Sequence, residues 1–376
     1  MKILFCTNAF EQVTNGPAKF ANLIGEINAL YPEHQVRILT EDVTPARLPA
    51  LPHVYRVQLR IPRLLKPLGQ VLRMFQYYRR VQEVAREFPY DVLVYNNAFT
   101  GLYAALVSPK PTVGMINDEK NLSASLAAFS PDRWWLKKFF FRFLEKAAAR
   151  RHRLVITNSE YLRRRVTLAY GLPPAKVRRL YKAIALQETT WQPRRTFGDP
   201  VKVLFVKADY RVGNLAVLVQ ALERLAPRRF SLAVIGPEKQ FEDHVRSLAG
   251  AAANVQLDYL GPQPQAVVYR YLGAYDLFCV PSATEAFGVA NIEALASGIP
   301  VVSSWTGGIP EVLDGGNNGW LTEPGNAADL AAAIGACLGD EADRLARAAN
   351  GKKFIGRFSK EEMFRTFLTI LGEACG

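Results

Sequence analysis

Two carboxylates, Glu285 and Glu293, stand eight residues apart in the stretch Pro281–Glu311, which reads PSATEAFGVANIEALASGIPVVSSWTGGIPE. An apolar run, Leu277–Val280, leads into Pro281 and predicts a strand. Glu285 then falls in a turn, Phe287-Gly288 opens a short helix carrying Glu293, and Gly298 ends that helix. A second buried strand follows over Pro300–Ser303, and Gly307-Gly308 makes a turn. Strand, loop, helix and strand in this order place both carboxylates near the C-terminal end of a strand, the edge at which open α/β sheets take their ligands. Two glutamates at this spacing also suit a solvated helix face, and the spacing alone decides nothing. The chemistry available is either acid/base work or hydroxyl binding. Carboxylates accept hydrogen bonds from vicinal hydroxyls, and the free N–H groups at a helix start suit a diphosphate. The amides of Phe287, Gly288, Val289 and Ala290 would supply those donors. A nucleotide sugar offers both kinds of group.

Such a site needs a sheet to hold it, and the chain is long enough to build two. It has 376 residues, 49% of them hydrophobic and 22% charged, an ordinary globular composition. Apolar runs recur at Ile3–Cys6, Val36–Leu39, Val92–Tyr95, Val113–Ile116 and Leu154–Thr157, with helical stretches between most of them. Phe20, Leu23, Ile24, Ile27 and Leu30 follow helical spacing. The polar segment Trp191–Pro200 reads as a hinge. The pattern then restarts at Val201–Val206, Leu232–Ile235, Val255–Tyr259 and Leu277–Val280. The fold expected is α/β, with two Rossmann-like, doubly wound domains facing a cleft. Their bounds are 1–188 and 189–356. A final helix within 357–376, opened by a capping box at Ser359 and Glu362, carries a stripe of Met363, Phe364, Phe367 and Ile370 that needs a surface to cover, on the second domain or back on the first.

The motif PSxxExFGxxxxEAxAxGxPVV followed by GGxPE resembles the donor-binding motif of the family-4 retaining glycosyltransferases (glycosyl transferase group 1) of GT-B fold. The resemblance extends over the second half, through Val203–Val206, Leu215–Leu222 and Gly319–Ile334. It is looser in the first, at Thr157–Glu160 and Gly171–Val177, and the tail at Phe358-Ser359 resembles the family's final helix, which implies that helix 357–376 packs back on the first domain. It implies that Glu285 contacts the donor sugar and Glu293 the ribose, and that Ala286 to Ala290 line the diphosphate and sugar. Gly261, Pro262 and Gln263 would lie against the base, and Gly16 would approach the diphosphate from the first domain. It implies a metal-independent enzyme with no cofactor besides a UDP- or GDP-linked donor, and no Asp-X-Asp motif occurs here to hold a divalent cation. Stabilising the departing nucleotide diphosphate is then electrostatic work.

Two departures from the family pattern stand out. The Arg and Lys usual after the first strand of the second domain are replaced by Ala208 and Gly213, with Lys207 and Arg211 nearby. A Lys one step along a strand points to the other face, so Arg211 is the better substitute. Where the family often has His-Asp, this chain has Asn117-Asp118. Asn117 can still donate and accept but does not titrate near neutrality. The catalytic set expected is Glu285, Arg211 and Asp118, with Asn117 and Lys207 among the donor contacts. The four histidines have no partner pattern and read as filler or surface positions.

The net charge of +13 is uneven: residues 1–190 hold 29 Lys and Arg against 14 Asp and Glu, a net +15, and the remainder 18 against 20, a net −2. The first half therefore faces something anionic. In Arg133–Lys146, RWWLKKFFFRFLEK, Leu136, Phe139, Phe140, Phe143 and Leu144 share one helical arc and are expected in the core. Trp134, Trp135, Lys138, Phe141 and Arg142 fall outside it and are the candidates for contact with an anionic membrane surface. Leu59–Arg80, with Arg60, Arg63, Lys66, Arg73, Arg79 and Arg80 around Ile61, Leu64 and Leu65, is a second basic stretch. Buried helices with solvated charges would explain both equally. No nucleic-acid module is recognisable. The four cysteines are scattered as in a reducing compartment, Met1–Cys6 is too short an apolar run for a leader, and no apolar run spans a bilayer. The expectation is a cytoplasmic protein, peripheral at the inner face of the cell membrane, acting on a lipid-linked or surface-glycan acceptor. The rival classes are a catalytically impaired nucleotide-sugar-binding protein on the same scaffold and a nucleotide-sugar epimerase.

Overall fold

Short runs such as Leu277–Val280, buried at every position, suit strands covered on both faces, and the computed structural model arranges them in two wholly parallel sheets. It describes residues 1–11, 16–62, 68–122, 133–184, 186, 190–250 and 252–376, with backbone alone over 133–136. The chain forms two units, Met1–Lys182 with Met363–Gly376, and Ala183–Glu362.

The first unit holds β1 (Lys2–Thr7), β2 (Gln35–Thr40), β3 (Val54–Arg56), β4 (Val92–Tyr95), β5 (Thr112–Ile116), β6 (Leu154–Thr157) and β7 (Val177–Arg179). Their order is β3-β2-β1-β4-β5-β6-β7. Its helices are α1 (Gly16–Leu30), α2 (Gly69–Glu87), α3 (Leu102–Val107), α4 (Arg133–Arg151) and α5 (Glu160–Tyr170). The core under α2 gathers Leu4, Leu39, Tyr77, Val81, Leu93 and Tyr95. The tail adds Phe364 and Phe367, whose rings meet Tyr31 and Phe20 edge-on at 6.1 and 6.3 Å.

The second unit holds β8 (Val201–Val206), β9 (Phe230–Ile235), β10 (Val255–Gly261), β11 (Leu277–Val280), β12 (Val301–Ser304) and β13 (Trp320–Thr322), in the order β10-β9-β8-β11-β12-β13. With α6 (Leu215–Glu223), α7 (Glu242–Ser247), α8 (Gln265–Ala274), α9 (Val289–Ser297), α10 (Ile309–Val312), α11 (Ala327–Gly339) and α12 (Glu341–Phe354) this is a doubly wound sheet. Its strand order reverses between β8 and β11, and that crevice is where a ligand is expected. α13 (Lys360–Cys375) ends the chain, with Ser359 Oγ accepting from the Glu362 amide at 3.1 Å.

Trp191–Pro200 is not a free hinge. Gln192 donates to the Ser297 carbonyl at 3.0 Å, and Arg194 to those of Tyr275 and Gly273 at 2.8 and 2.6 Å. Arg344, 3% exposed, donates to the carbonyls of Arg194 and Arg195, and Lys352 lies 4.3 Å over Trp191. The carbonyls of Arg194 and Arg195 are thus bound by one buried cation, Arg344.

Helix α4 corrects an expectation as well. Its buried face is Leu144, Glu145, Ala148 and Ala149, while Phe140 and Phe143 are exposed. The cause is Glu145, a carboxylate held inward by Tyr170 Oη at 2.5 Å and Asn121 Nδ2 at 2.9 Å. A polar residue on the inner face turns the apolar stripe away from the core. Phe141, expected on the surface, packs on Phe99 at 5.3 Å, and Arg142 donates to the Leu122 carbonyl. Lys138 is half-buried. The side chains of Trp134, Trp135 and Leu136 lie outside the described residues, as do Arg63, Leu64, Leu65 and Lys66 of the other basic stretch.

Candidate functional site

The reversal point of the second sheet carries opposite charges. Lys207, directly after β8, and Glu285, in the loop after β11, form an ion pair, with both side chains about one-fifth exposed. The loops that carry them are cross-tied. Ala283 donates to the Val212 carbonyl at 2.8 Å, and Asn214 Nδ2 to the Pro281 carbonyl at 2.9 Å. Ser304 Oγ donates to the Ser282 carbonyl at 2.5 Å and Thr306 Oγ1 to that of Ala283 at 3.3 Å. The Glu285 carbonyl accepts from the Gly308 amide at 3.1 Å. Gly307 makes this approach possible: at φ +57° it sits where an added Cβ would fall 1.5 Å from that carbonyl oxygen. The GG turn therefore fixes the backbone of the carboxylate.

The pairing corrects the expectation that Lys207 points away from this edge. β8 ends at Val206, so the alternation of a strand no longer governs Lys207. Gly236, at φ +120°, lets the β9 edge lie against the Lys207 backbone, where a Cβ would come within 2.6 Å. Arg211 is exposed instead, its guanidinium 5.4 and 5.9 Å over the rings of Tyr210 and Phe241. Gly213 cannot carry a cation, because a Cβ there would meet the Phe205 ring at 2.5 Å.

Helix α9 begins beside this pair. Phe287 is buried against Phe358 at 5.7 Å, and its amide donates to Glu285 Oε1 at 3.4 Å. Gly288, at φ +97°, caps the helix, and a Cβ there would crowd Asn291 at 2.8 Å. Val289 and Ala290 are the first helical residues, whose amides have no intrahelical acceptor. Glu293, 7% exposed, accepts from Gln265 Nε2 at 2.8 Å. Gln265 opens α8, directly after the turn of Gly261, Pro262 and Gln263, so the two predicted subsites are joined by one hydrogen bond. Gln263 donates to its own strand, at the Leu260 carbonyl, 2.6 Å away. Among the described residues no group of three or more His, Cys, Asp or Glu is placed to hold a metal ion.

The first unit's sheet edge is of another kind. Thr7, Asn96, Asn117 and Asn158 end or follow the adjacent strands β1, β4, β5 and β6, and they form a ladder. Asn158 Nδ2 donates to the Asn117 carbonyl at 2.8 Å, and Asn117 Nδ2 to the Asn96 carbonyl at 2.9 Å. Asn96 Nδ2 donates to Thr7 Oγ1 at 3.1 Å. Asn158 Oδ1 is buried without a partner. Only Asn117 was singled out from sequence. The signal available was a Thr ending β1 and an Asn directly after each of β4, β5 and β6, strands that the sheet makes neighbours. Asp118 is exposed and accepts from the Lys120 amide at 3.1 Å. Gly16 starts α1, and a Cβ on it would lie 3.6 Å from Lys182 Nζ; residues 12–15 before it lie outside the described residues. His152 is a filler in the core, bridging Thr112 Oγ1 at 2.9 Å and the Ala98 carbonyl at 3.0 Å, and burial lowers it to about 4.

Two parallel sheets of seven and six strands, each wound with helices, define the GT-B class. Residues 26–188 match the model of Glycosyltransferase Family 4 and residues 187–354 that of Glycosyl transferases group 1. The chain belongs to this family of group 1, family-4 glycosyltransferases. The amylovoran biosynthesis glycosyltransferase AmsK of Erwinia amylovora is 32% identical over 188 residues, 47% of this chain and 45% of that protein. A D-inositol 3-phosphate glycosyltransferase of Corynebacterium kroppenstedtii is 32% identical over 203 residues, 49% of this chain and 44% of that one. The chain thus spans about half the length of the curated relatives it matches. Among solved structures, sucrose-phosphate synthase of Thermosynechococcus elongatus aligns with a TM-score of 0.77 at 19% identity, over 99% of this chain and 98% of its own. HepE of Anabaena, in complex with UDP-glucose, aligns at 0.73 and 22%, over 99% and 100%. These two share the fold.

Proposed function

We propose that the chain is a glycosyltransferase moving a sugar, a hexose in the simplest case, from a UDP- or GDP-linked donor to a glycan or lipid-linked acceptor, with retention of configuration and without a divalent metal. The observation that carries this reading is the Lys207–Glu285 pair at the reversal point of the second sheet, beside the open amides of α9. A diphosphate approaching Glu285 alone would be repelled. Lys207 offsets that charge and can exchange the carboxylate for a phosphate oxygen, leaving Glu285 to accept from sugar hydroxyls. Glu293, held by Gln265, takes the ribose hydroxyls. In the transfer the bond from the anomeric carbon to the phosphate oxygen breaks and a bond to the acceptor oxygen forms. The acceptor proton leaves on the departing phosphate, and Lys207 with the Val289 and Ala290 amides stabilises the charge that develops there. The family resemblance supports retention, and the UDP-glucose held by HepE supports a uridine donor.

The test is release of free nucleotide diphosphate from UDP-glucose or GDP-mannose in the presence of acceptor extract and a chelator. Acceptor-dependent release that Lys207→Ala lowers by roughly two orders of magnitude agrees with the reading. Donor binding without turnover on any extract would assign a binding protein, and a changed sugar on an intact nucleotide an epimerase.

A further inference from the structure

The strands β3, β4, β5, β6 and β7 succeed one another in one direction across the first sheet, skipping only the pair already laid down. Right-handed crossovers then place α2, α3, α4 and α5 side by side on one face. Nine large apolar side chains are exposed among the described residues, and six of them lie on the first three of these helices or at their starts: Leu68, Phe75, Leu106, Val107, Phe140 and Phe143. Singly exposed apolar residues need no explanation, but two-thirds of them on one layer do. Phe75 packs on Tyr103 at 4.1 Å with the rings tilted by 49°, and these rings with Tyr78 and Val107 wall a groove of about 480 Å³ whose lip carries Arg79, 84% exposed. Lys137 precedes Phe140 on α4 and is exposed, as are Lys110 after α3 and Arg86 on α2. The acids here are few. Glu83 is paired with Arg79 and Arg80, Glu87 is exposed, and Glu145 is buried.

We infer that the outer surface of α2, α3 and α4 docks on an anionic lipid bilayer, with Phe140, Phe143, Leu106 and Val107 entering the headgroup region and Arg79 and Lys137 on lipid phosphates. Apolar side chains interleaved with cations on helices lying flat match an interfacial surface, which gains from both burial and charge. A second copy of the chain fits worse, since both partners would present the same cations. No helix among the described residues is long and apolar enough to cross a membrane, so contact is from one side. The surface differs from the one read from sequence, because Phe141 and Arg142 are engaged within the unit. It rests on the proposed function only in supplying a place where a lipid-linked acceptor would be met.

The full chain should co-sediment with vesicles of equimolar phosphatidylcholine and phosphatidylglycerol, and much less with phosphatidylcholine alone. F140S/F143S and R79E/K137E should each weaken that partition roughly tenfold or more. Leu30→Ser, on α1, should leave it unchanged. UDP titrated into the same variants separates the two readings: UDP binding that persists while vesicle binding is lost confirms that only the lipid surface was altered. Equal sedimentation with both vesicles, or full sedimentation of F140S/F143S, overturns the inference. So does sedimentation abolished by added RNA yet indifferent to F140S/F143S, which would assign the face to nucleic acid.

Discussion

The two sheets share a topology and differ in what they set at the same edge. In the second unit the carboxyl ends of β8 and β11 bring a Lys and a Glu together, bound by loops whose glycines admit close backbone approach. In the first unit the ends of β1, β4, β5 and β6 carry Thr7, Asn96, Asn117 and Asn158, uncharged and hydrogen-bonded in a row. A charged edge can exchange its internal partner for a ligand's phosphate, because the ion pair is a partly solvated contact of small net worth. An amide ladder is a more rigid object: nearly every donor is committed, and removing one member leaves buried groups unsatisfied. The same frame therefore serves to handle charge in one unit and to hold geometry in the other.

Substitutions on the two edges should separate these roles. The largest effect is expected for Glu285→Ala, which removes the proposed sugar contact and leaves Lys207 without its internal partner. Nucleotide diphosphate release should fall by about two orders of magnitude with little change in melting temperature. Asn117→Ala should cost activity by roughly tenfold at most, and comparable losses at both positions would mean that the ladder takes part in the chemistry. Next comes Asn96→Ala, which removes the side-chain donor of Thr7 Oγ1 and of the Pro17 carbonyl in a site only 4% exposed, while the Asn96 backbone carbonyl that Asn117 uses remains. It should lower stability by about 1–3 kcal/mol in denaturant titrations. Donor affinity should be retained, and a loss of affinity without a loss of stability would break the contrast.

The last effect, seen only as a change of slope with pH, concerns Glu145. Burial raises its carboxyl to about 7 from an ordinary 4.5, so the folded state favours the proton. Below pH 4.5 both states are protonated and nothing is lost. As pH climbs to about 7 the unfolded chain ionises first, and folding loses up to roughly 3 kcal/mol. Glu145→Gln should flatten the fall of melting temperature over that window. His152, lowered by burial to about 4, acts in the opposite sense, its contribution being lost as pH falls below 6.5. It is common to both proteins and cancels in their difference. An unchanged slope in Glu145→Gln would show that this carboxyl ionises in the fold as readily as in the unfolded chain.

What could be read beforehand follows the same division. The strand, turn, helix and strand of Pro281–Glu311 were legible because the Gly and Pro residues there make local backbone demands, such as positive φ at Gly288 and Gly307. The parallel sheets were legible from apolar runs. The ladder was not, because its bonded members lie between 21 and 89 residues apart and meet only when the strands are aligned. Lys207 was assigned to the wrong face because strand alternation was carried one residue past the end of β8. The phase of α4 was misread because a buried Glu145 looks polar in any periodicity count, and Trp191–Pro200 because the cations that bind it come from Arg344 and Lys352, some 150 residues later.

The central claim is that the charged edge of the second unit holds the nucleotide sugar. Calorimetric titration of UDP-glucose and GDP-mannose into the full chain and into Glu293→Ala tests it most directly. The account predicts one-site binding of at least one of these donors, weakened roughly tenfold in Glu293→Ala, which loses a hydroxyl acceptor. No heat of binding from either donor, or equal affinity in the two proteins, would contradict it.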